Sequence, residues 1–253
     1  RLLVNFSHIV LLPKTPLAVL NILIILSAVL LAYGGIEILA RSTEIYGVIL
    51  ISVVFFLCVI VFREFDVKLL RPITEFDMPG IGMGSWLMLP YIGECIAMAF
   101  ITKQPSMRIK PGLLGLLLGG GLLTILALQT LLVLGVPVMS RMLYPSYELA
   151  RQIQVTDFLD RFDLPMVGLW MPVMITKIGY SLYLVSLGLK RIVPGGSGQR
   201  LIAPIGLLSL ACSFWFFENA VQLMNFNWSW PIIAIVFQLL LPLVMYLLLK
   251  PRH

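Results

Sequence analysis

The sequence predicts an all-α integral membrane protein. Hydrophobic residues make up 60% of the 253 residues and charged residues only 12%, and the mean hydropathy is +1.00. Soluble domains, by comparison, carry about 25% charged residues. Apolar segments of membrane length recur along the chain, and none of them alternates polar and apolar residues as a membrane β-strand does. We therefore expect one transmembrane helical domain over residues 1–253.

Seven segments are long and apolar enough to cross a membrane as helices: 16–40, 45–62, 80–101, 112–138, 164–189, 201–219 and 228–249. The sequence "NAVQLMNFNWSW", which begins just after Glu218, is expected to form a short outer turn between the last two spans.

Residues 1–12 have the character of the end of an eighth span. This segment stops at "LPKTP", where Pro13 and Pro16 indicate a turn. Residue 1 is Arg and begins within an apolar stretch, so the chain is expected to be a piece of a longer protein that lacks its N-terminal part.

Alternate loops differ in their charge. One set carries nine Lys and Arg residues against a single acid, and these nine, which include Arg41 in a predicted loop after residue 40, lie close to span ends. The other set carries seven basic and eight acidic residues, mostly in two long loops. Because cytoplasmic loops are enriched in Lys and Arg, the C-terminus is predicted to be cytoplasmic, with loops 63–79 and 139–163 outside.

The loop at 139–163 contains a predicted short amphipathic helix. After Pro145, a favourable first-turn residue, Leu149, Ala150 and Ile153 recur at helical spacing among charged and polar neighbours. Such a helix either rests on lipid headgroups at the membrane interface or forms a lid over a cavity.

Segment 80–101 contains several helix-breaking residues. Gly80, Gly82, Gly84, Pro90 and Gly93 all lie within it. Proline removes a backbone donor and clashes with the preceding turn, so the helix is expected to kink or unwind near Pro90. Discontinuous helices of this kind form substrate and ion sites in secondary transporters. The alternative is an ordinary proline kink with glycines that allow close packing.

Two charged residues lie near the middle of predicted spans. Glu94 and Lys177 have no local partner at helical spacing, whereas Glu37 is four residues from Arg41 and is expected to form a structural pair at the cytoplasmic end of its helix. A charge inside the membrane indicates a functional site with a partner. We expect Lys177 to pair with Glu94, either at a ligand site or in a buried ion pair that only fixes the helix register.

The candidate ligand-binding residues follow from these two features. Tyr180 and Ser181 extend a polar stripe from Lys177, and the glycines and proline border the break that precedes Glu94. The complete set is Gly84, Ser85, Pro90, Gly93, Glu94, Lys177, Tyr180 and Ser181.

Several other functions are not indicated. Basic residues do not cluster with exposed aromatics as in a nucleic-acid-binding protein. The two histidines are far apart, the three cysteines have no paired spacing, and no nucleophile–base arrangement lies within the spans. We therefore expect no metal, no cofactor and no catalytic residues, and interpret the protein as a non-enzyme.

The chain resembles the spore germination permease family. The resemblance covers the whole chain in order and is carried by "LPKTP", "GGIEILAR" (34–41), Gly93-Glu94, and the Lys177 helix that ends in "LGL". It is most specific in "YPSYELARQIQVTDFLDRFD" (144–163). These proteins are the B subunits of bacterial nutrient germinant receptors, within the amino acid–polyamine–organocation superfamily.

The resemblance implies a ten-helix inverted-repeat transporter fold, present here from the end of the third helix to the tenth. It also implies a subunit in the spore inner membrane that binds a small, amino-acid-like nutrient and triggers germination. Its partners would be an A-type membrane subunit, a C-type lipoprotein and membrane lipids. A proton-coupled amino acid transporter is the alternative, because Glu94 and Lys177 suit that function equally well.

Overall fold

A computed structural model describes residues 1–70, 77–97, 109–152, 163–192, 198–217 and 219–248. All regular structure within these ranges is helical, which confirms the all-α prediction. The α-helices are α1 (Leu2–Phe6), α2 (Leu17–Tyr33), α3 (Gly35–Val61), α4 (Met78–Gly93), α5 (Ile109–Met139), α6 (Pro145–Gln152), α7 (Asp163–Ile192), α8 (Gly198–Trp215), α9 (Ala220–Ala234) and α10 (Leu241–Leu248). Two π-helical segments, Ser7–Leu11 and Ile235–Leu240, and three 3₁₀ segments, Phe62–Glu64, Val67–Leu70 and Glu94–Ala97, extend or connect these helices.

The chain forms two compact units. Unit 1 comprises Arg1–Tyr33, Asp77–Met107 and Tyr180–His253, and unit 2 comprises Gly34–Phe76 and Arg108–Gly179. Helix α7 contributes its first half to unit 2 and its second half to unit 1. That the two units form a single transmembrane domain stays a prediction.

Among the described residues, four helical segments are long and apolar enough to cross a membrane: Gly35–Glu64, Gly112–Met139, Leu164–Ile192 and Val221–Met245. Helices α2, α4 and α8 are shorter, with 17, 16 and 18 residues. The predicted total of seven full spans is therefore not confirmed, although every predicted span contains a helix.

The boundary between the first two predicted spans was placed wrongly. Helix α2 ends at Tyr33 rather than at residue 40, and α3 begins at Gly35, whose φ of 76° lies in the left-handed region that favours glycine. Arg41 therefore lies inside α3 and not in a loop. Apolar residues flank the turn on both sides, so hydropathy alone did not reveal it.

The first turns of α3 extend beyond the apolar part of the helix. Its 27 residues would measure about 40 Å, about 10 Å more than the hydrocarbon core of a bilayer. The predicted Glu37–Arg41 pair is confirmed at 2.6 Å, with both side chains more than 70% exposed. It lies in the first turns of α3, however, and not at the end of the preceding helix.

Helix α5 is interrupted near its C-terminal end. Gly135 adopts φ 72° and ψ 162°, outside the helical region, and Pro137 follows two residues later. The Leu132 carbonyl is bonded instead by the backbone N–H of Asp66, at 3.1 Å, and Leu69 packs against Gly135. The connection after α3 thus supplies the hydrogen bond that the interrupted helix lacks. The sequence prediction missed this break, although Gly135 and Pro137 were a signal for it.

The short helix after Pro145 is confirmed as α6, and its apolar side is buried in protein. Leu149 and Ala150 are 1% and 0% exposed and pack against Leu57, Val61 and Leu134. Of the two alternatives for this helix, an apolar face that rests on headgroups is therefore wrong, and a lid over a cavity stays a prediction. Ile153 lies outside the described residues.

Polar groups also join α6 to the end of α5. The hydroxyls of Thr130 and Ser146 are 3.5 Å apart, and the Tyr144 carbonyl accepts hydrogen bonds from the backbone of Tyr147 and Glu148. Partial burial raises the pKa of the Tyr144 phenol, because the phenolate would lose hydration there. The phenol therefore stays protonated at neutral pH.

The predicted outer turn "NAVQLMNFNWSW" is wrong, because α9 begins at Ala220. The Asn219 side chain caps it by accepting a hydrogen bond of 2.8 Å from the backbone N–H of Gln222. The helical path continues through the π-helical segment Ile235–Leu240 into α10. Glu218 lies outside the described residues.

Candidate functional site

Helix α4 does not break where the sequence predicted. The α-helix continues through the buried Pro90 to Gly93, and the winding changes to 3₁₀ over Glu94–Ala97. The α-helix thus ends three residues after Pro90, and a 3₁₀ segment begins at the predicted site residue Glu94. A change of winding alters which backbone groups are paired, as discontinuous helices do at transporter sites.

The junction at Gly93 lies directly against Gln238. A Cβ atom added to Gly93 would overlap the Gln238 amide oxygen and would lie 3.1 Å from Gln238 Cβ. Gln238 belongs to the π-helical segment Ile235–Leu240, which packs against α4. Two irregular helical segments of unit 1 therefore meet at one point, and glycine is the residue that allows them to approach.

The amide oxygen of Gln238 is fully buried and has no hydrogen-bond partner in the part of the chain that the structure describes. A buried acceptor without a partner costs about 1–3 kcal/mol. Gln238 was not among the predicted site residues. The available signal was that Gln238 is the one polar side chain between Pro231 and Pro242.

The neighbouring helix α9 supports α4 on the same side. The indole N–H of Trp86 lies 3.5 Å from the Trp228 carbonyl, which is a long hydrogen bond, and α4 and α9 pack along one another. The ring of Trp230 lies 5.8 Å from that of Phe226. Aromatic side chains thus line α9 where it accompanies α4.

The predicted residues of α4 fall into two groups. Gly84 and Ser85 are exposed in the first half of the helix, and a Cβ on Gly84 would meet open space. Gly93 lies nine positions after Gly84, which corresponds to about 13 Å along the axis and roughly half a rotation around it. One amino-acid-sized ligand cannot contact both groups directly.

Lys177 lies on α7, which is continuous from Asp163 to Ile192 and confirms the predicted span. Lys177 and Ser181 are four residues apart and both exposed, and Tyr180 beside them is half-buried. The predicted polar stripe is therefore present on this helix. An exposed lysine in a membrane span requires protein, water or a headgroup nearby, because a charge in hydrocarbon costs about 2.5–3.5 kcal/mol on translocon scales.

The predicted pairing of Lys177 with Glu94 stays a prediction. Lys177 belongs to unit 2 and Glu94 to unit 1. The site is therefore built from what unit 1 contains, namely the junction at Gly93 and Glu94 with Gln238 against it.

Comparisons with known proteins identify the family. A sequence model described as "Spore germination protein" matches residues 1–221. The chain belongs to the spore germination protein family. With its long apolar helices, this family member is a multi-pass membrane protein, and the resemblance on which the sequence prediction rested is confirmed.

Three curated relatives of the spore germination family are similar to the chain. YfkT of Bacillus subtilis (strain 168) is 35% identical over 252 residues, which is 100% of this chain and 70% of the relative. Spore germination protein KB of the same organism is 24% identical over 92% of this chain and 65% of its own length. Spore germination protein XB of Bacillus anthracis is 25% identical over 69% of this chain and 50% of its own length.

The chain therefore spans between 50% and 70% of the length of these relatives. No solved structure matches it.

Proposed function

We propose that this chain is a membrane subunit of a spore germinant receptor. It binds a small, amino-acid-like nutrient at a mid-membrane site and thereby triggers germination. Membership of the spore germination family supports a role in germination. The change of winding at Glu94, inside an apolar chain, is the observation that carries the binding function.

The physical reason lies in what the membrane interior lacks. Hydrocarbon offers no hydrogen bonds, so polar backbone and side-chain groups at an irregular helix must be satisfied by protein, water or a ligand. The ammonium and carboxylate groups of an amino acid are strong partners for such groups. In this proposal, Glu94 with Pro90 and Gly93 forms the central part of the site.

The remaining predicted residues would serve the same site in two ways. Lys177, with Tyr180 and Ser181, would supply the positive charge and hydroxyl groups that a carboxylate requires. Gly84 and Ser85 would line the approach, because α4 separates them from the junction at Gly93. Ligand binding would favour one arrangement of the helices, and that change would be transmitted to partner subunits.

The proposed partners are an A-type membrane subunit, a C-type lipoprotein and membrane lipids. The proposed location is the spore inner membrane, with a cytoplasmic C-terminus. No catalytic step, metal or cofactor is part of this function.

Spores that lack their own receptors provide the test. The complete gene should be expressed in them with its A-type and C-type subunits, and the spores should be exposed to each of the twenty standard amino acids singly. We expect a fall in the optical density of the suspension with at least one amino acid, and no fall when this subunit is omitted. The absence of any response, with all three subunits present at normal abundance, would contradict the proposal.

A proton-coupled amino acid transporter is the second candidate, and it is favoured by the two titratable residues Glu94 and Lys177 within apolar helices. The full-length protein in proteoliposomes would then accumulate an amino acid in response to a pH gradient. Uptake that collapses when a protonophore is added would support this second function.

A further inference from the structure

Gln238 is a polar side chain within the otherwise apolar π-helical segment Ile235–Leu240. The flanking residues Phe237 and Leu239 are apolar and exposed, as residues facing lipid are, while the amide oxygen of Gln238 is buried. The π-helical segment Ile235–Leu240, which carries this residue, packs on α4, as does the preceding helix α9. Single π-turns inside α-helices occur frequently at functional sites.

The absence of a side chain at Gly93 leaves room for this amide. The backbone of Gly93 approaches so closely that any larger residue would displace the Gln238 side chain. The contact occurs one residue before Glu94, at which the helix changes winding. Gln238 is therefore held beside the same irregular turn from which Glu94 projects.

The hydrogen-bonding state of the amide points to a ligand. Its oxygen is completely removed from solvent, and no donor within the described ranges reaches it. Buried polar groups in native proteins are almost always bonded to protein, ordered water or ligand. An amide that only filled space could have been replaced by leucine or methionine without leaving an acceptor unsatisfied.

We propose that Gln238 is a ligand-binding residue whose amide oxygen accepts a hydrogen bond from the primary ammonium group of the nutrient. This inference rests on the proposed function and names a contact within that site. The ligand class follows from the chemistry of the amide oxygen, which is an acceptor and therefore takes a hydrogen-bond donor. The ammonium group of an amino acid is a cationic N–H donor and forms a stronger, charge-assisted bond than a neutral donor does.

The main test replaces the amide by apolar side chains of similar length. Gln238→Leu and Gln238→Met should raise the half-maximal amino acid concentration for germination by about 10- to 100-fold, as expected for the loss of a hydrogen bond to a charged group. Gln238→Glu retains an acceptor and should keep a response closer to that of the wild type. Gln199→Leu is the matched control, since the Gln199 amide lies exposed on α8, 3.5 Å from the Tyr33 carbonyl, and its loss should change nothing.

A second arm tests the contact with Gly93. Gly93→Ala should displace the Gln238 amide and weaken the response, whereas Gly82→Ala on the same helix should not, because a Cβ there meets open space. Combining Gly93→Ala with Gln238→Ala should recover membrane abundance but not nutrient sensitivity. That result separates a packing effect from a loss of ligand contact.

A third arm tests the chemical class. The most effective of the twenty amino acids should be compared with its analogue lacking the amino group, which should fail to trigger wild-type spores. If Gln238→Leu accumulates poorly, the half-maximal concentration measured for Gln238→Met decides whether the Gln238 amide contacts the ligand.

The outcomes separate the two proposals. If wild-type spores respond to no amino acid, the proposed function fails. If they respond and both apolar Gln238 variants keep the wild-type half-maximal concentration, the function survives and the role of Gln238 is overturned. A full response to the analogue without the amino group would also overturn it.

Discussion

Asn21 on α2 and Ser213 on α8 bind each other in both directions. The Asn21 amide nitrogen lies 3.0 Å from the Ser213 hydroxyl, and the hydroxyl lies 3.3 Å from the Asn21 amide oxygen. Asn21 is only 1% exposed. In the same interface, the backbone of Gly206 packs directly against Val29, so that the two helices approach closely. A polar pair and a small residue thus join two apolar helices of unit 1.

Removing this pair should weaken the packing of α2 on α8. Ser213→Ala is expected to destabilise the detergent-solubilised protein by about 0.6–1.7 kcal/mol, the range found for hydrogen bonds between membrane helices. The measurement is the thermal unfolding midpoint. Ser27→Ala is the control, because the Ser27 hydroxyl bonds to Leu23 of its own helix and is exposed. An equal shift for both variants would mean that the pair adds nothing to helix packing.

The buried side of α6 should be essential for unit 2. Leu149→Ala removes a fully buried side chain and should lower the free energy of unfolding by about 2–5 kcal/mol. Leu143→Ala, at a position that is 44% exposed, should have a much smaller effect. Limited proteolysis after Met139 offers a second readout, since a detached α6 would expose the chain to cleavage. Similar stability of the two variants would place α6 outside the core.

Gly135 should not tolerate a side chain. Its φ and ψ lie in a region that is almost exclusive to glycine, and an added Cβ would approach Leu69 to 3.2 Å. Gly135→Ala is therefore expected to cost about 1–3 kcal/mol of stability. Gly47→Ala within α3 has open space and should stabilise its helix by about 0.5–1 kcal/mol. The comparison fails if Gly135→Ala proves as stable as the wild type.

The two mid-span charges should be required for signalling and not for folding. Lys177→Met is expected to abolish the nutrient response at normal membrane abundance, because it removes the charge that we assign to the site. Lys190→Met at the exposed end of α7 is the matched control and should keep the response. Germination curves measure the nutrient response, and immunoblots of spore membranes measure the abundance of the protein.

Glu94→Gln should produce a similar defect if the two charges cooperate. Residues that act as a unit show losses that do not add, so the double variant should respond no worse than either single one. The comparison uses variants that keep a residual response, and strictly additive losses in their half-maximal nutrient concentration would show that Lys177 and Glu94 act separately.

The long spans were predicted closely because hydropathy alone determines them. Segments 112–138 and 164–189 correspond to Gly112–Met139 and Leu164–Ile192, which are long and mostly apolar. Helix α6 was also predictable, since Pro145 and the spacing of Leu149 and Ala150 depend only on local sequence.

Turns between equally apolar segments were not predictable in the same way. The turn at Gly35 has apolar residues on both sides, while Arg41 and Glu44, which were predicted to lie in a loop, are helical. Polar residues at the start of α9 also led to a wrong prediction, because the segment predicted to be a turn is helical. A helix that extends past the hydrocarbon core can carry such residues on its projecting turns, so their presence does not end it.

In the candidate site, too, some features were predictable from the local sequence and others were not. Glycine, proline and glutamate in succession predicted an irregular helix near Pro90, because backbone sterics and the absence of a proline N–H act locally, but the α-helix continues through Pro90. The position of the change in winding, at Glu94, was not predictable from those residues.

By itself, the sequence determined that this chain is helical, lies in a membrane and carries charges within its spans, because each property depends on composition and on neighbours along one helix. Only the tertiary structure decided that Gln238 meets Gly93 and that Asn21 meets Ser213. These residues are far apart in the chain, and the depth to which one helix approaches another depends on the shapes of both surfaces.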